Sequence, residues 1–321
     1  MSPYLFGILM TVIMDDVENG LTEMEREGLR QGTPQRTGIN KVFYADDTIL
    51  LTTTKQSMES LLHSIETESA KYNVRLNTHK CVVLNMNEIM RVEYSDVTQV
   101  PVKSQAVYLG AIITRKSEYK PELNHRIAAT ARVMKSLNKL WINAPVSTKW
   151  KIRVFDAVCV AKLTYGLETL PITPEACKKL DAFYYKSLRR ITGIPPAHIS
   201  KISNLTVLET ANERAQLKDG KLLTSITQRV KEKQIKLFGH LLRANPATDH
   251  TRRIAIDEQG YRVRSHTRRI GRPRLKWYDM AKQAVIENLT KQTIILRQWE
   301  RHMRYDELNP IIVEAAQERL F

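Results

Sequence analysis

Lys41–Thr53 reads KVFYADDTILLTT. A β-favouring run, Val42-Phe43-Tyr44, is followed by the polar pair Asp46-Asp47 and a second apolar run, Ile49-Leu50-Leu51. Two such runs around a short polar centre predict a β-hairpin with both aspartates near its tip. Ser57–Tyr72 follows with Met58, Leu61, Leu62, Ile65 and Ala70 at helical spacing, which predicts an amphipathic helix. Val82–Met86 and Val107–Thr114 read as further short strands. On the N-terminal side, Tyr4–Met14 (YLFGILMTVIM) is almost wholly apolar and is halted by Asp15-Asp16. As a helix, eleven residues at ~1.5 Å each reach about 16 Å, roughly half a bilayer core. No basic residue precedes the stretch, so it lacks the start of a secretory signal. The expectation is a helix buried on all sides in a domain core.

Beyond about residue 120 the period changes. His125–Leu140, Thr148–Leu163, Pro174–Ile191 and about Glu209–Leu242 repeat apolar residues at three and four, with Thr148 as a cap and Pro171 and Pro195-Pro196 as stops. Asn245–Arg274 carries Pro, Gly and Arg and reads as a loop or short β-ribbon; a last helical segment covers Leu275–Gln317. The fold class is therefore α+β, with a soft boundary near 118–122 and no internal repeat.

The 321 residues leave room for one large or two modest domains. With 42% hydrophobic and 26% charged residues, disorder as the dominant state is excluded. Three distant cysteines (Cys81, Cys159, Cys177) exclude a disulfide scaffold or zinc finger and suit a reducing compartment. The net charge of +16 is uneven: −5 over residues 1–100, +12 over 101–228, +10 over 229–276 and −1 over 277–321. A basic middle behind an acidic front is the outline of a protein that holds a polyanion in one part and does something else in another. A solvated basic surface without a partner is the plain alternative.

Adjacent aspartates at a hairpin tip can hold Mg²⁺, which takes one or two carboxylates plus substrate phosphate oxygens. Transfer of a nucleotidyl group by two metals needs carboxylates that hold both ions about 3.5–4 Å apart. Taken alone, Asp46-Asp47 reads as a solvated turn before it reads as a metal site.

The order of motifs adds a resemblance. Phe43-Tyr44-Ala45-Asp46-Asp47 is similar to the catalytic hairpin of reverse transcriptases, and the chain resembles the enzymes of non-LTR (LINE-type) retrotransposons along nearly its whole length. Ser2-Pro3-Tyr4-Leu5-Phe6 resembles the second half of the family's QGxPLSPxLF segment; Gln31-Gly32-Thr33-Pro34 only echoes its start. By the resemblance, Asp46 is a metal ligand for Mg²⁺ (or Mn²⁺) and Asp47 its supporting neighbour. Arg75–Cys81 resembles the next motif and would place Lys80 near the leaving pyrophosphate, where a cation stabilises developing charge. Tyr108-Leu109-Gly110 resembles the hairpin that grips the primer end.

Lys139–Pro195 resembles the family's helical thumb, through Leu163–Thr169 (LTYGLET) and Leu188–Ile194 (LRRITGI). Gly166 and Gly193 fit helix C-caps. Lys149, Lys151, Arg153, Lys186, Arg189 and Arg190 are candidates for phosphate contacts, and Trp141, Trp150, Phe155, Leu163, Leu180, Phe183 and Leu188 for the thumb core. Ile235–Arg243 and Gly271–Trp277 resemble two further family segments, which makes Arg272 and Arg274 nucleic-acid candidates. Gly271-Arg272-Pro273 also matches a minor-groove hook. His240 has no Cys or His at metal spacing, so packing or phosphate contact suits it better than zinc. Arg262, Arg264, Arg268 and Arg269 can also be read as a nuclear-import patch.

The resemblance thus implies a partial palm (1–120), a helical thumb (121–200) and a basic helical extension (201–321). Its partners would be an RNA template with a DNA primer or an RNA–DNA hybrid, and a dNTP in the intact enzyme. The location would be nuclear or cytoplasmic, with no membrane. The family's first palm Asp lies upstream of the QGxPLSP segment, so the expectation is a polypeptide without polymerase activity by itself. A non-catalytic nucleic-acid-binding protein is the competing expectation.

Overall fold

The computed structural model describes residues 3–34, 38–86, 89–216, 222–257, 261–262, 276–292 and 309–319. The chain is α+β and divides into two compact units, Met1–Glu118 and Tyr119–Phe321.

In the first unit, helix α1 (Pro3–Gly20) buries Met10, Ile13, Met14 and Val17 against Leu61 and Ile65 of α3 (Lys55–Lys71). Its opposite face is exposed: Tyr4 at 85%, with Leu5, Ile8 and Val12 beside it. The helix is therefore a core element on one face only. The helix also runs through Asp15-Asp16, because Asp15 faces solvent and Asp16 accepts a 2.5 Å hydrogen bond from the Tyr72 hydroxyl. The modest helix-propensity cost of two aspartates is outweighed by burying Val17, the next residue.

Helix α2 (Glu23–Gly32) starts at a capping box, Thr22 with Glu25, a signal present in the sequence but not used above. Its last residue, Gly32, lies directly against α3: a Cβ there would meet Ser57 Oγ at 2.1 Å and Ser57 Cβ at 2.6 Å. Ser57 is held in place by its bond to the Gly28 carbonyl (2.8 Å) and by the Thr54 hydroxyl (2.7 Å). Gly32→Ala should therefore cost about 2 kcal/mol through overpacking. A urea-unfolding midpoint within error of the wild type would contradict that contact.

Strands β1 (Lys41–Tyr44) and β2 (Asp47–Leu50) form the first antiparallel hairpin. Strands β3 (Gln105–Tyr108) and β4 (Ala111–Thr114) form the second. Val107–Thr114 is therefore a hairpin turned at Leu109-Gly110, not one strand. The strand expected at Val82–Met86 is reduced to a bridge from Val83 to Val102. That loop is held instead by a small core of Leu62, Val92, Tyr94 and Val100.

The second unit is helical: α4 (Lys120–Ser136), α5 (Asn138–Ile142), α6 (Thr148–Val154), a π-helical turn (Phe155–Val160), α7 (Ala161–Thr164) and α8 (Pro174–Thr192). Then come α9 (Ala197–Ser200), α10 (Asn204–Ala215), α11 (Ile226–Arg243), α12 (His250–Ala255), α13 (Trp277–Gln292) and α14 (Asn309–Gln317). Trp141 meets Phe155 edge-on at 6.4 Å, and Phe155 stacks on Tyr184 at 5.8 Å. Around them pack Leu163, Leu180 and Leu188, as the sequence predicts, with Phe183 partly buried. Trp150 is the exception and lies exposed. It precedes the buried Ile152 by two residues, about 200° around a helix.

Several boundaries are corrected. The α6 cap is Ser147, whose hydroxyl accepts from the Trp150 amide, and not Thr148. Gly166 (φ +72°, ψ −2°) follows Tyr165 (φ −61°, ψ 121°), so the pair makes a type II turn and Gly166 is not a helix cap. Gly193 does cap α8, at φ +74°. The helix expected over Glu209–Leu242 is two, with Ser225 capping the second. The loop or short β-ribbon expected over Asn245–Arg274 has an antiparallel bridge between Ile256 and Arg262 and also contains α12, whose buried Arg252 donates to the Leu242 and Ala244 carbonyls at the end of α11. The last expected segment is represented by α13 and α14. Among the described residues no helix is long and apolar enough to cross a membrane.

Candidate functional site

In the first hairpin, Tyr44 pairs with Asp47 and closes a two-residue turn, Ala45-Asp46. Ala45 takes φ +54°, a conformation that costs a non-glycine residue energy and fixes the turn. Both aspartates are exposed, and among the described residues neither carboxylate accepts a hydrogen bond. The strand behind them is open as well, with Val42, Phe43 and Tyr44 exposed. The carboxylates are thus presented outward on a short two-stranded ribbon.

The second hairpin closes in the same way, Tyr108 with Ala111 around Leu109-Gly110. Both turn residues have positive φ (+46° and +74°), the requirement of a type I′ turn. Glycine meets it freely, and a Cβ on Gly110 would meet nothing within 4 Å, so this backbone is open to close approach. The Tyr108 hydroxyl is shielded from solvent without a hydrogen-bond partner. Burial pushes its phenol above the usual tyrosine range, and the charge of Asp47 adds to that effect. The two hairpins therefore bring Tyr108 and Asp47 within electrostatic reach, a relation that no sequence spacing announces.

Lys80 lies exposed in the turn after α3, where its amide bonds the Asn77 carbonyl at 2.9 Å. Among the described residues no ion pair joins it to Asp46 or Asp47.

As a donor set, Asp46-Asp47 suits one hard divalent cation completed by water and phosphate oxygens. Among the described residues no group of three His, Cys, Asp or Glu side chains is placed to enclose a metal. The pair therefore fits one ion with open positions and does not by itself make a two-metal cage.

The basic candidates separate into two kinds. Lys151 is 8% exposed and donates to the Trp141 carbonyl at 3.0 Å. Arg189 is 5% exposed and donates to the Pro195 and Ile202 carbonyls (3.2 and 2.7 Å), Ser200 Oγ (3.2 Å) and Asn204 Oδ1 (3.2 Å). Both hold the fold together, which corrects their reading as phosphate contacts. Lys186 and Arg190 are exposed on α8, with Arg190 bonded to Asn138 Oδ1; Arg153 is exposed and Lys149 half-buried. Arg272 and Arg274 lie outside the described residues, as do Arg264, Arg268 and Arg269, whereas Arg262 pairs with Asp279 at 2.8 Å.

Sequence reasoning missed Lys178, which shares an exposed stripe with Ala182, Lys186 and Arg190 at a spacing of four. It also missed Arg132 and Lys135, exposed on α4. The spacing along Lys178–Arg190 was the available signal. Phe238 of α11 and Trp277 of α13 pack with ring centres 6.1 Å apart, which joins two of the segments singled out by resemblance. His240 is exposed on the last turn of α11.

Residues 1–113 match the family model described as reverse transcriptase (RNA-dependent DNA polymerase). The chain is also 20% identical, over 255 residues, to a transposon-derived protein of Caenorhabditis elegans; the match spans 77% of this chain and 85% of that protein.

Proposed function

We propose that the chain is the catalytic-hairpin and thumb part of a non-LTR retrotransposon reverse transcriptase. Residues 1–120 are then palm, 121–200 thumb and 201–321 a basic extension. The observation that carries the reading is the tight two-residue hairpin that presents Asp46 and Asp47 outward, inside the residues that match the reverse transcriptase model. Asp46 and Asp47 would hold the divalent ion, which when bound polarises phosphate oxygens and stabilises the charge that develops on transfer. Lys80, exposed in its turn, is left to meet a phosphate. Tyr108-Leu109-Gly110 offers an open turn to a primer backbone, and the exposed cations of α4 and α8 offer a face to duplex phosphates.

The two adjacent carboxylates do not complete a two-metal clamp, so the 321-residue polypeptide by itself binds template–primer and does not extend it. Primer extension with Mg²⁺ and a heteropolymeric RNA template tests this. The expected result is no template-directed incorporation. Synthesis that disappears in Asp46→Ala would overturn the inactivity and leave the family reading intact. The second reading, a non-catalytic nucleic-acid binder, is favoured by the separate cation stripe of α8. It predicts binding that is indifferent to both Mg²⁺ and Asp46→Ala, whereas the polymerase reading predicts that Mg²⁺ binds at the Asp pair.

A further inference from the structure

We propose that Tyr165 is a stacking platform for an unpaired nucleobase of a single-stranded nucleic acid. The inference deepens the nucleic-acid reading above and rests on it. Tyr165 closes α7 and opens the type II turn that Gly166 completes at φ +72°. The Arg126 guanidinium of α4 lies over its ring, 4.6 Å from the centroid. That guanidinium is itself held: it pairs with Glu122 one helical turn back, and the two residues are only 6% and 2% exposed. Taking both charges out of water is costly, and the ring laid on the cation offsets part of that cost. The ring, however, is not buried with them. With one face on the guanidinium and the residue 49% exposed, Tyr165 offers its other face to solvent. An aromatic surface fixed by a turn and backed by an immobile cation loses little freedom when a ligand covers it.

The cation also decides what that face takes. A guanidinium on the inner face draws on the negative quadrupole of the ring, so a second cation outside is disfavoured and a neutral π-system is favoured. A nucleobase is such a system. Ammonium groups stand close by for its phosphates. Lys162 is exposed one turn before Tyr165, and Lys233 of α11 reaches the adjacent residue, donating to Thr164 Oγ1 at 3.0 Å. Bases inside a duplex have their faces covered by their neighbours, so the ligand is a strand with unpaired bases.

The test uses the full chain and two fluorescently labelled strands, a short oligo(dT) and an abasic strand of the same length, which keeps every phosphate and lacks the bases. Wild type, Tyr165→Phe and Tyr165→Leu are compared by anisotropy. Tyr165→Leu is expected to weaken oligo(dT) binding about five- to thirtyfold with an unchanged salt slope, and to leave abasic-strand binding within about twofold. Tyr165→Phe keeps the ring and should bind both strands within about twofold of the wild type. An equal loss for both strands, which is what a merely structural tyrosine would give, overturns the proposal, and so does no loss for either.

A second measurement needs no variant. A strand bearing iodouracil, irradiated on the wild type and mapped by mass spectrometry, is expected to form an adduct at Tyr165; the lack of one there refutes the stacking. If the wild type binds neither strand, the nucleic-acid reading fails and this inference falls with it. A wild type that binds both strands equally keeps that reading and overturns the platform alone.

Discussion

Arg189→Ala is expected to lower the stability of the helical unit by about 3 kcal/mol and its urea midpoint by about 1 M or more. The Arg189 guanidinium lies 5% exposed between the end of α8 and the segment that carries α9 and the start of α10. Its four acceptors span Pro195 to Asn204, and two of them are main-chain carbonyls. That segment has few ties of its own. α9 is a four-residue helix without a buried residue, followed by Lys201 in the left-handed region at φ +54°. Deleting the guanidinium takes the Arg189 donor from the Ile202 carbonyl and Asn204 Oδ1, leaves the Pro195 carbonyl to the Ser200 hydroxyl alone, and empties a buried site, a change that costs about 3 kcal/mol.

Lysine would not rescue it, because one ammonium cannot reproduce a planar fork that spans four acceptors. Arg190→Ala, one residue on, removes an exposed side chain and should change stability by less than about 0.5 kcal/mol. The decisive comparison is nucleic-acid binding by whatever Arg189→Ala protein remains folded. If the folded variant shows a salt dependence lower by one phosphate contact, Arg189 belongs to the interface after all and the structural assignment is wrong.

Neighbouring arginines with opposite fates show what the sequence could and could not disclose. The apolar spacing of Pro174–Ile191 gives α8 and its core face correctly, because a helix side needs only a period of 3.6. It does not say which cation at the end of that helix meets the chain returning from Pro195, since that depends on segments remote in sequence. The same limit explains Lys151, drawn inward by the Trp141 carbonyl, and the exposed Trp150 two positions from a buried isoleucine.

The first hairpin was legible because β-pairing across a short turn is local, and so was α3. The outer face of α1 was not: eleven apolar residues announce a helix, but which face is covered depends on α3, some fifty residues away. The influence of the Asp47 charge on Tyr108 lies further still from any pattern. Each hairpin could be read from its own residues, but their proximity is tertiary.

Lys178→Ala/Lys186→Ala/Arg190→Ala is expected to reduce the slope of log K against log salt for RNA–DNA hybrid or duplex binding by about 3, near one unit per phosphate contact. These residues occupy positions one, nine and thirteen of an exposed stripe on α8, with Ala182 between them. Twelve residues of helix at ~1.5 Å each extend about 18 Å, enough to follow several phosphates of one strand. Each contact carries a slope near 0.9, so at 0.1 M salt the three together are worth up to about two and a half decades of affinity.

The fold should tolerate the change. All three side chains are exposed, alanine has the best helix propensity, and the core face of Leu180, Tyr184 and Leu188 is untouched. Unfolding midpoints should therefore stay within about 0.5 kcal/mol of the wild type. A matched triple variant on the opposite side of the net-charge argument, Lys103→Ala/Arg115→Ala/Lys116→Ala, removes the same charge from the first unit. If binding depended only on the overall charge of +16, both triples would weaken it equally. The geometry of α8 requires instead that the first triple lose about a hundredfold at 0.1 M salt and the second several-fold at most. Equal losses would dissolve the interface into a general basic surface.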